Sequence, residues 1–357
     1  LWLVRGLIRW THPTISGGSP FSVGIDGSLF ARLASNAWVG ARQANTIDEK
    51  GVNMNNKAAK LAAEHYEKTL DEVEVSRIDF FMSLWAALDG VNAAGLTAAG
   101  YEVPPAERVA ALSEAEIPVF SNTPVEIDAE ALARGMSAVI ARAAELGGFD
   151  DEMAAALTGV NWDDAIAASD VALAGKRPME YLAAFAEQLV DGGMTELQAQ
   201  MGQLFASLAL RWQLEGPAEA VARARKKAKV FYDHQMHCPA CGGDAALARV
   251  GEGGSGDGRN KTLWCAQCGT SWEFDRIRCP RCGTRNQGNL HYFNIEGDEG
   301  HRIGTCDECG SYIRTRFAGE GNNAPYSPEV EDVVMARLDA VAMDPSFAGG
   351  SAKRTGE

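Results

Sequence analysis

The stretch LWCAQCGTSWEFDRIRCPRCG, residues 263–283, holds two CxxC pairs joined by a short aromatic link. Outward from it, HCPACGG precedes at 237–243 and TCDECGS follows at 305–311, so all eight cysteines of the chain fall between Cys238 and Cys309 as four CxxC pairs. A glycine follows the second cysteine of each pair: Gly242, Gly269, Gly283 and Gly310. Two thiolates separated by two residues grip one ion only if the backbone curls around it, and glycine supplies the left-handed angles that such a turn needs. Backbone N–H groups then point at the sulfurs and offset their charge.

Twenty-three residues separate Cys241 from Cys265, and 23 separate Cys282 from Cys306; each cysteine of the second set lies 41 positions after its counterpart in the first. So regular a repeat points to duplicated modules, each closing one tetrahedral four-thiolate site: Cys238, Cys241, Cys265, Cys268 in the first and Cys279, Cys282, Cys306, Cys309 in the second. The equal spacings favour this sequential pairing over an interleaved one across the short link from Cys268 to Cys279. Two metal ions are expected, one per site, and four thiolates in a tetrahedron suit zinc or iron alike. A bound zinc ion contributes on the order of 10 kcal/mol to folding modules of this size. Between the knuckles the runs Ala246–Val250, Lys261–Trp264 and Leu290–Ile295 are strand-like, and the glycine-rich stretch Gly251–Gly258 fits a hairpin loop, so each module is expected to be a small β ribbon.

Rival readings of the cysteines fare worse. CxxC pairs make a poor disulfide framework, and no export signal accompanies them. Trp264, Cys265, Ala266, Gln267 and Cys268 look superficially like a redox dithiol, but Gly269, Thr270 and Ser271 continue poorly as the helix that would lower a thiol pKa. His234, His237, His291 and His301 are expected to be surface or junction residues, because eight cysteines already complete two sites. Sites with no open coordination position do not hydrolyse substrates, so no catalytic residue is assigned.

With 357 residues the chain is long enough for two or three domains and a sizeable core. A formal charge of −15 argues against a general polyanion binder, because phosphate neutralisation needs clustered Lys and Arg. Across residues 238–317 ten Lys and Arg balance ten Asp and Glu, which also disfavours a nucleic-acid ribbon. No apolar run is long enough to span a bilayer. The opening LWLVRGLIRW is interrupted by Arg9 and lacks a cleavage site, so it does not read as an export signal. Residues 1–53 carry no sustained periodicity and stay unassigned, with a functional start expected near Met54.

Residues 54–232 are Ala-rich and read as a helical bundle. Thr195 and Gln198 have capping-box spacing ahead of a stripe of Leu197, Met201, Leu204, Phe205, Leu208 and Trp212; a second helix opens at Asp128 and carries Leu132, Met136, Val139, Ile140 and Ala143. Further helices are expected at 56–70, 77–92, 162–173 and 178–191, with Pro217 as the first residue of another. Phe80, Phe81, Leu84, Trp85 and Leu88 form a stripe assigned to the core, not to a cofactor. The basic run Arg223, Arg225, Lys226, Lys227, Lys229 reads as the solvated end of a helix. The expected architecture is therefore α plus small β: the helical bundle, ribbon modules over 233–275 and 276–320, and over 321–357 a C-terminal helix with Val330, Val333, Val334 and Leu338 on one face, then a disordered tail.

At CPACG (238–242), LWCAQCGTSWEFDRIRCPRCG (263–283), LHYF (290–293) and TCDECGSYIR (305–314) the sequence resembles the formate dehydrogenase accessory protein family of the FdhE type. Trp272, four residues after the second knuckle, and the short link into the third carry much of the likeness, although Cys265–Cys268 and Cys306–Cys309 lack the proline of the other two knuckles. The resemblance implies rubredoxin-like metal centres on the eight cysteines. It also implies a cytoplasmic maturation factor, not an enzyme, that binds the catalytic subunit of formate dehydrogenase before export. It points to no nucleic-acid partner and no membrane insertion. A nucleic-acid-binding zinc ribbon and a rubredoxin-like electron carrier are the alternatives.

Overall fold

A computed structural model describes residues 56–91, 100–230, 235–251, 261–319 and 324–344. The unassigned opening, His234, most of the glycine-rich loop and the C-terminal tail lie outside these residues.

Ten helices precede the cysteine region among the described residues: α1 (Asn56–Tyr66), α2 (Glu72–Val91), α3 (Ala106–Glu114), α4 (Val119–Asn122), α5 (Ala129–Glu145), α6 (Asp151–Thr158), α7 (Trp162–Ala167), α8 (Val171–Lys176), α9 (Pro178–Asp191) and α10 (Glu196–Lys227). The expected start signals operate. The Asp128 carboxylate accepts from the Ala131 N–H at 2.9 Å, and Thr195 with Gln198 forms a reciprocal capping box at the head of α10. The run expected over 162–173 breaks into two short helices, because Asp170 caps a new one at Val171. Leu84 and Leu88 of the α2 stripe are buried in the main core, with Phe80 and Phe81 packed against it, while Trp85 packs against a second cluster that includes Ala59, Tyr66 and Ile78.

Pro217 does not begin a helix; it lies inside α10. A proline there forfeits one backbone hydrogen bond. Leu214, Ala218 and Val221 are buried on either side of it, and that burial carries the helix through. Arg225 also departs from the solvated reading of the basic run. It is buried, and its guanidinium donates to the Ser113 hydroxyl at 2.7 Å and to the Gln235 side-chain oxygen at 3.0 Å. Arg223, Lys226, Lys227 and Lys229 are exposed as expected.

The cysteine region forms one six-stranded sheet in the order β3-β2-β1-β6-β5-β4. Its strands are β1 (Leu247–Val250), β2 (Lys261–Trp264), β3 (Ser271–Phe274), β4 (Leu290–Ile295), β5 (Asp298–Cys306) and β6 (Ser311–Phe317). Each module supplies an antiparallel three-stranded meander. A parallel pairing of β1 with β6, Leu247 opposite Arg314 through Val250 opposite Phe317, fuses the two. The strand runs read from the sequence match β1, β2 and β4, and the two expected modules are joined edge to edge in the one sheet.

Two C-terminal helices, α11 (Pro328–Val334) and α12 (Ala336–Met343), lie between the helical body and the sheet. Val330, Val333 and Val334 pack with Ala59, Ala62, Tyr66 and Ile78, while Met335 and Leu338 pack with Leu247, Trp264 and Ile303.

Candidate metal centres

Each knuckle closes the same way. The N–H of Gly242 donates to the Cys238 carbonyl at 2.8 Å, and Gly269, Gly283 and Gly310 donate to Cys265, Cys279 and Cys306 at 2.9, 3.1 and 2.9 Å. All four glycines have positive φ, between 65° and 80°, a region that side-chain-bearing residues rarely adopt. Residues 265–270 form this turn and no helix, which removes the structural basis of the redox-dithiol reading.

The knuckles bring the sulfurs together in two groups, Cys238, Cys241, Cys265, Cys268 and Cys279, Cys282, Cys306, Cys309; within each, all ligand atoms lie within 4.8 Å of one another. The eight are free thiols. In the first group the Cys238–Cys268 and Cys241–Cys265 sulfurs are 3.5 Å apart; in the second Cys279–Cys309 and Cys282–Cys306 are 3.8 and 3.7 Å apart. A tetrahedron with metal–sulfur bonds of about 2.3 Å has edges of about 3.8 Å, so the donor sets fit one ion each, and the geometry does not choose between metals. The Gly243 N–H points at the Cys241 sulfur at 3.4 Å and the Arg281 N–H at the Cys279 sulfur at 3.3 Å, as negative sulfurs require.

The electrostatics of the first group also call for a cation. Burial pushes the Cys238 thiol up, but hydrogen bonds from Cys241, Cys265 and Cys268 outweigh it and hold the group well below its ordinary value. Donating to Cys238 pushes Cys241 and Cys265 up in turn. Four sulfurs this close share little negative charge among themselves; a dication lets all four ionise.

The two centres differ in setting. Cys238, Cys265 and Cys268 are fully buried and Cys241 nearly so, within the same apolar cluster as the helical body. The first knuckle is stitched to α4, whose Val119 and Phe120 N–H groups donate to the Pro239 and Ala240 carbonyls, each at 2.9 Å. The second knuckle is held by α10: Arg211 donates to the Ala266 carbonyl at 3.0 Å and lies over the Trp264 ring at 4.9 Å. The second centre is more open among the described residues: Cys279 and Cys306 are buried, but Cys282 and Cys309 are exposed.

His237 and His291 lie at the surface beside Asp244 and Asp307, as expected. His301 is the exception. It is buried on β5, with Nδ1 2.9 Å from Asp298 and Nε2 2.8 Å from Glu331. Glu331 also accepts from Tyr66 at 3.0 Å and pairs with Arg316 at 2.8 Å, so this knot ties α1, α11 and the sheet together. Arg211 with Glu329, and Arg314 with Asp332 and Asp339, are further buried pairs that the sequence reading missed.

No protein-family model matches the chain. Among curated proteins it is similar to an FdhE homolog of Aquifex aeolicus (strain VF5), 28% identical over 123 residues that make up 33% of this chain and 42% of that protein. An FdhE homolog of Rhizobium meliloti (strain 1021) is 29% identical over 114 residues, 31% of this chain and 35% of that protein. The chain thus spans less than half the length of the curated relatives it matches. The crystal structure of the FdhE protein from Pseudomonas aeruginosa superposes with a TM-score of 0.51 over 87% of this chain and 99% of that one, at 17% identity. The chain thus resembles proteins of the FdhE type. With the FdhE structure it shares the fold, a helical N-terminal region and a small sheet, which in this chain carries two four-cysteine clusters. Among the described residues no helix is long and apolar enough to cross a membrane.

Proposed function

We propose that this FdhE-type chain is an accessory factor in the maturation of formate dehydrogenase, binding its catalytic subunit in the cytoplasm before that subunit is exported. The observation that carries the reading is the joining of two four-cysteine clusters to a helical body, in a chain similar in sequence to FdhE homologs and in fold to an FdhE crystal structure. Cys238, Cys241, Cys265 and Cys268 would hold one zinc or iron ion and Cys279, Cys282, Cys306 and Cys309 another. When bound, each ion supplies structural cross-linking and, if it is iron, a one-electron couple. The protein's own contribution is to fix the sulfurs with the glycine turns and to bury the first set. A closed set of four sulfurs has no position for substrate, which supports a non-enzymatic role.

The test is co-purification of the tagged chain from cells grown anaerobically with formate. Recovery of the catalytic subunit is expected, together with loss of formate dehydrogenase activity on deletion. Intact activity after deletion, with no subunit recovered, overturns the proposal.

One observation favours a second reading, a rubredoxin-like electron carrier: the second centre reaches the surface through Cys282 and Cys309. Metal analysis with the visible spectrum of protein purified without oxygen separates the two. A colourless protein with two zinc ions removes the electron carrier.

A further inference from the structure

Arg211 is a buried cation on α10, only 6% exposed, and its two terminal nitrogens go to different elements. Nη1 donates to the carbonyl of Ala266, between Cys265 and Cys268, at 3.0 Å, and Nη2 pairs with the Glu329 carboxylate in the first turn of α11 at 2.6 Å. The guanidinium also covers the Trp264 ring at 4.9 Å, and Nη2 comes so near the Gly269 turn that a Cβ there would lie 3.5 Å from it. One planar fork thus touches both ends of the second knuckle of the first centre and the start of α11.

A charge is buried at a cost unless it is paired. Burial works against the Arg211 charge, but Glu329 and Glu215 prevail and hold the guanidinium above its ordinary value, with a smaller contribution from the Cys268 sulfur. A loaded centre, four thiolates around a dication, is net anionic, so a buried cation beside Cys268 stabilises it. α11 is also tied to the second module: Glu331 pairs with Arg316 and with His301, each at 2.8 Å, and Asp332 pairs with Arg314. Arg211 supplies a tie to the first centre. It does so across a cleft of about 50 Å³ lined by Trp264, Ala266 and Glu329, where the polar bridge spans what packing does not fill.

We propose that Arg211 is a positioning residue of the first centre, holding the Cys265–Cys268 knuckle in its metal-binding form and linking the ion there to the seating of α11. The inference rests on metal filling the first site. By linkage the coupling runs both ways: bound metal secures α11, and a seated α11 tightens metal binding. Lysine would keep a charge beside Cys268 but lacks the planar fork that serves two acceptors at once.

The test uses the full-length protein loaded with cobalt(II), whose thiolate charge-transfer bands report the charge around the sulfurs, and follows amide hydrogen exchange across Pro328–Val334. Chelator is added in steps, and alkylation of Cys265 against Cys282 tells which centre has emptied. In the unaltered chain, exchange over α11 should rise about tenfold as the first centre empties and not as the second does. Arg211→Gln should move the band lost with the first centre to longer wavelength, weaken cobalt binding there by about tenfold, and let α11 in the loaded protein exchange as fast as in the emptied one. Arg211→Lys should restore the band but not the protection of α11. If Arg211→Gln does not fold, Arg211→Gln combined with Glu329→Gln, which removes both charges of the buried pair, carries the same expectations. Cobalt uptake by the second site alone overturns the premise and the inference with it. With both sites filled, unchanged α11 exchange on emptying the first centre overturns the coupling, and so does an unshifted band with unaltered affinity in Arg211→Gln.

Discussion

The hydroxyl of Ser207 on α10 donates to the side-chain oxygen of Gln267 at 2.6 Å, and the Gln267 amide donates back to the Ser207 carbonyl at 3.4 Å. Both side chains are buried. Gln267 lies between Cys265 and Cys268, so the pair fixes a knuckle of the first centre to the longest helix of the body. Gln267→Ala leaves the Ser207 hydroxyl buried without its acceptor and is expected to cost about 1–3 kcal/mol. Thermal unfolding followed by circular dichroism, read alongside metal release, checks this: helix loss and release from the first centre should shift together. Metal release at an unchanged melting temperature would contradict the coupling.

The unequal cover of the two centres gives a kinetic expectation. With a strong chelator, metal should leave in two phases of equal size, the second set of cysteines emptying first. Brief alkylation followed by mass spectrometry should label Cys282 and Cys309 well before Cys238, Cys265 and Cys268. Uniform labelling of all eight would show that the first centre is not sealed.

The knuckle glycines are not equivalent. A side chain at Gly242 would have to adopt φ of +80° and would come within 3.0 Å of the Pro118 ring, whereas Gly310 is exposed. Left-handed backbone alone costs roughly 1–2 kcal/mol. Gly242→Ala should therefore destabilise by more than Gly310→Ala, and denaturant melts of the two variants decide it.

His301 sets a dependence on alkaline pH. Burial lowers its pKa, but the hydrogen bonds and charges of Asp298 and Glu331 prevail and raise it from 6.5 to about 9. Because the folded value lies above the unfolded one, the stabilisation is complete below about pH 6.5 and is lost as pH rises through about 9. The full effect is on the order of 3 kcal/mol. Urea melts between these limits should show the decline, and His301→Gln should flatten it. An unchanged slope in the variant would assign the dependence elsewhere.

What could be read from the sequence was short-range. The glycine after each second cysteine announces a left-handed turn because both lie within one knuckle, and Asp128 and Thr195 announce helix starts through hydrogen bonds three residues away. The grouping of the sulfurs follows from a repeat visible by counting. Pro217 misled because local propensity says nothing of the Leu214, Ala218 and Val221 burial that continues α10. His301 misled because, beyond the nearby Asp298, its partners Glu331 and Tyr66 lie 30 and 235 positions away. Arg211, Arg314 and Arg316 look like surface residues until α11 brings Glu329, Glu331 and Asp332 over them.

The parallel pairing of β1 with β6 bears on the order in which a ribosome can finish this protein. The four cysteines of the first centre emerge after the helical body and before the second four, so a metal ion can close their module while the second is still unmade. Its strand Leu247–Val250 would then stand as an open edge until Ser311–Phe317 arrived. The helices that bury Met335 and Leu338 against the sheet come later still. A chain that stops short of residue 311 therefore lacks the partner of β1 and leaves that edge open to pairing with other chains.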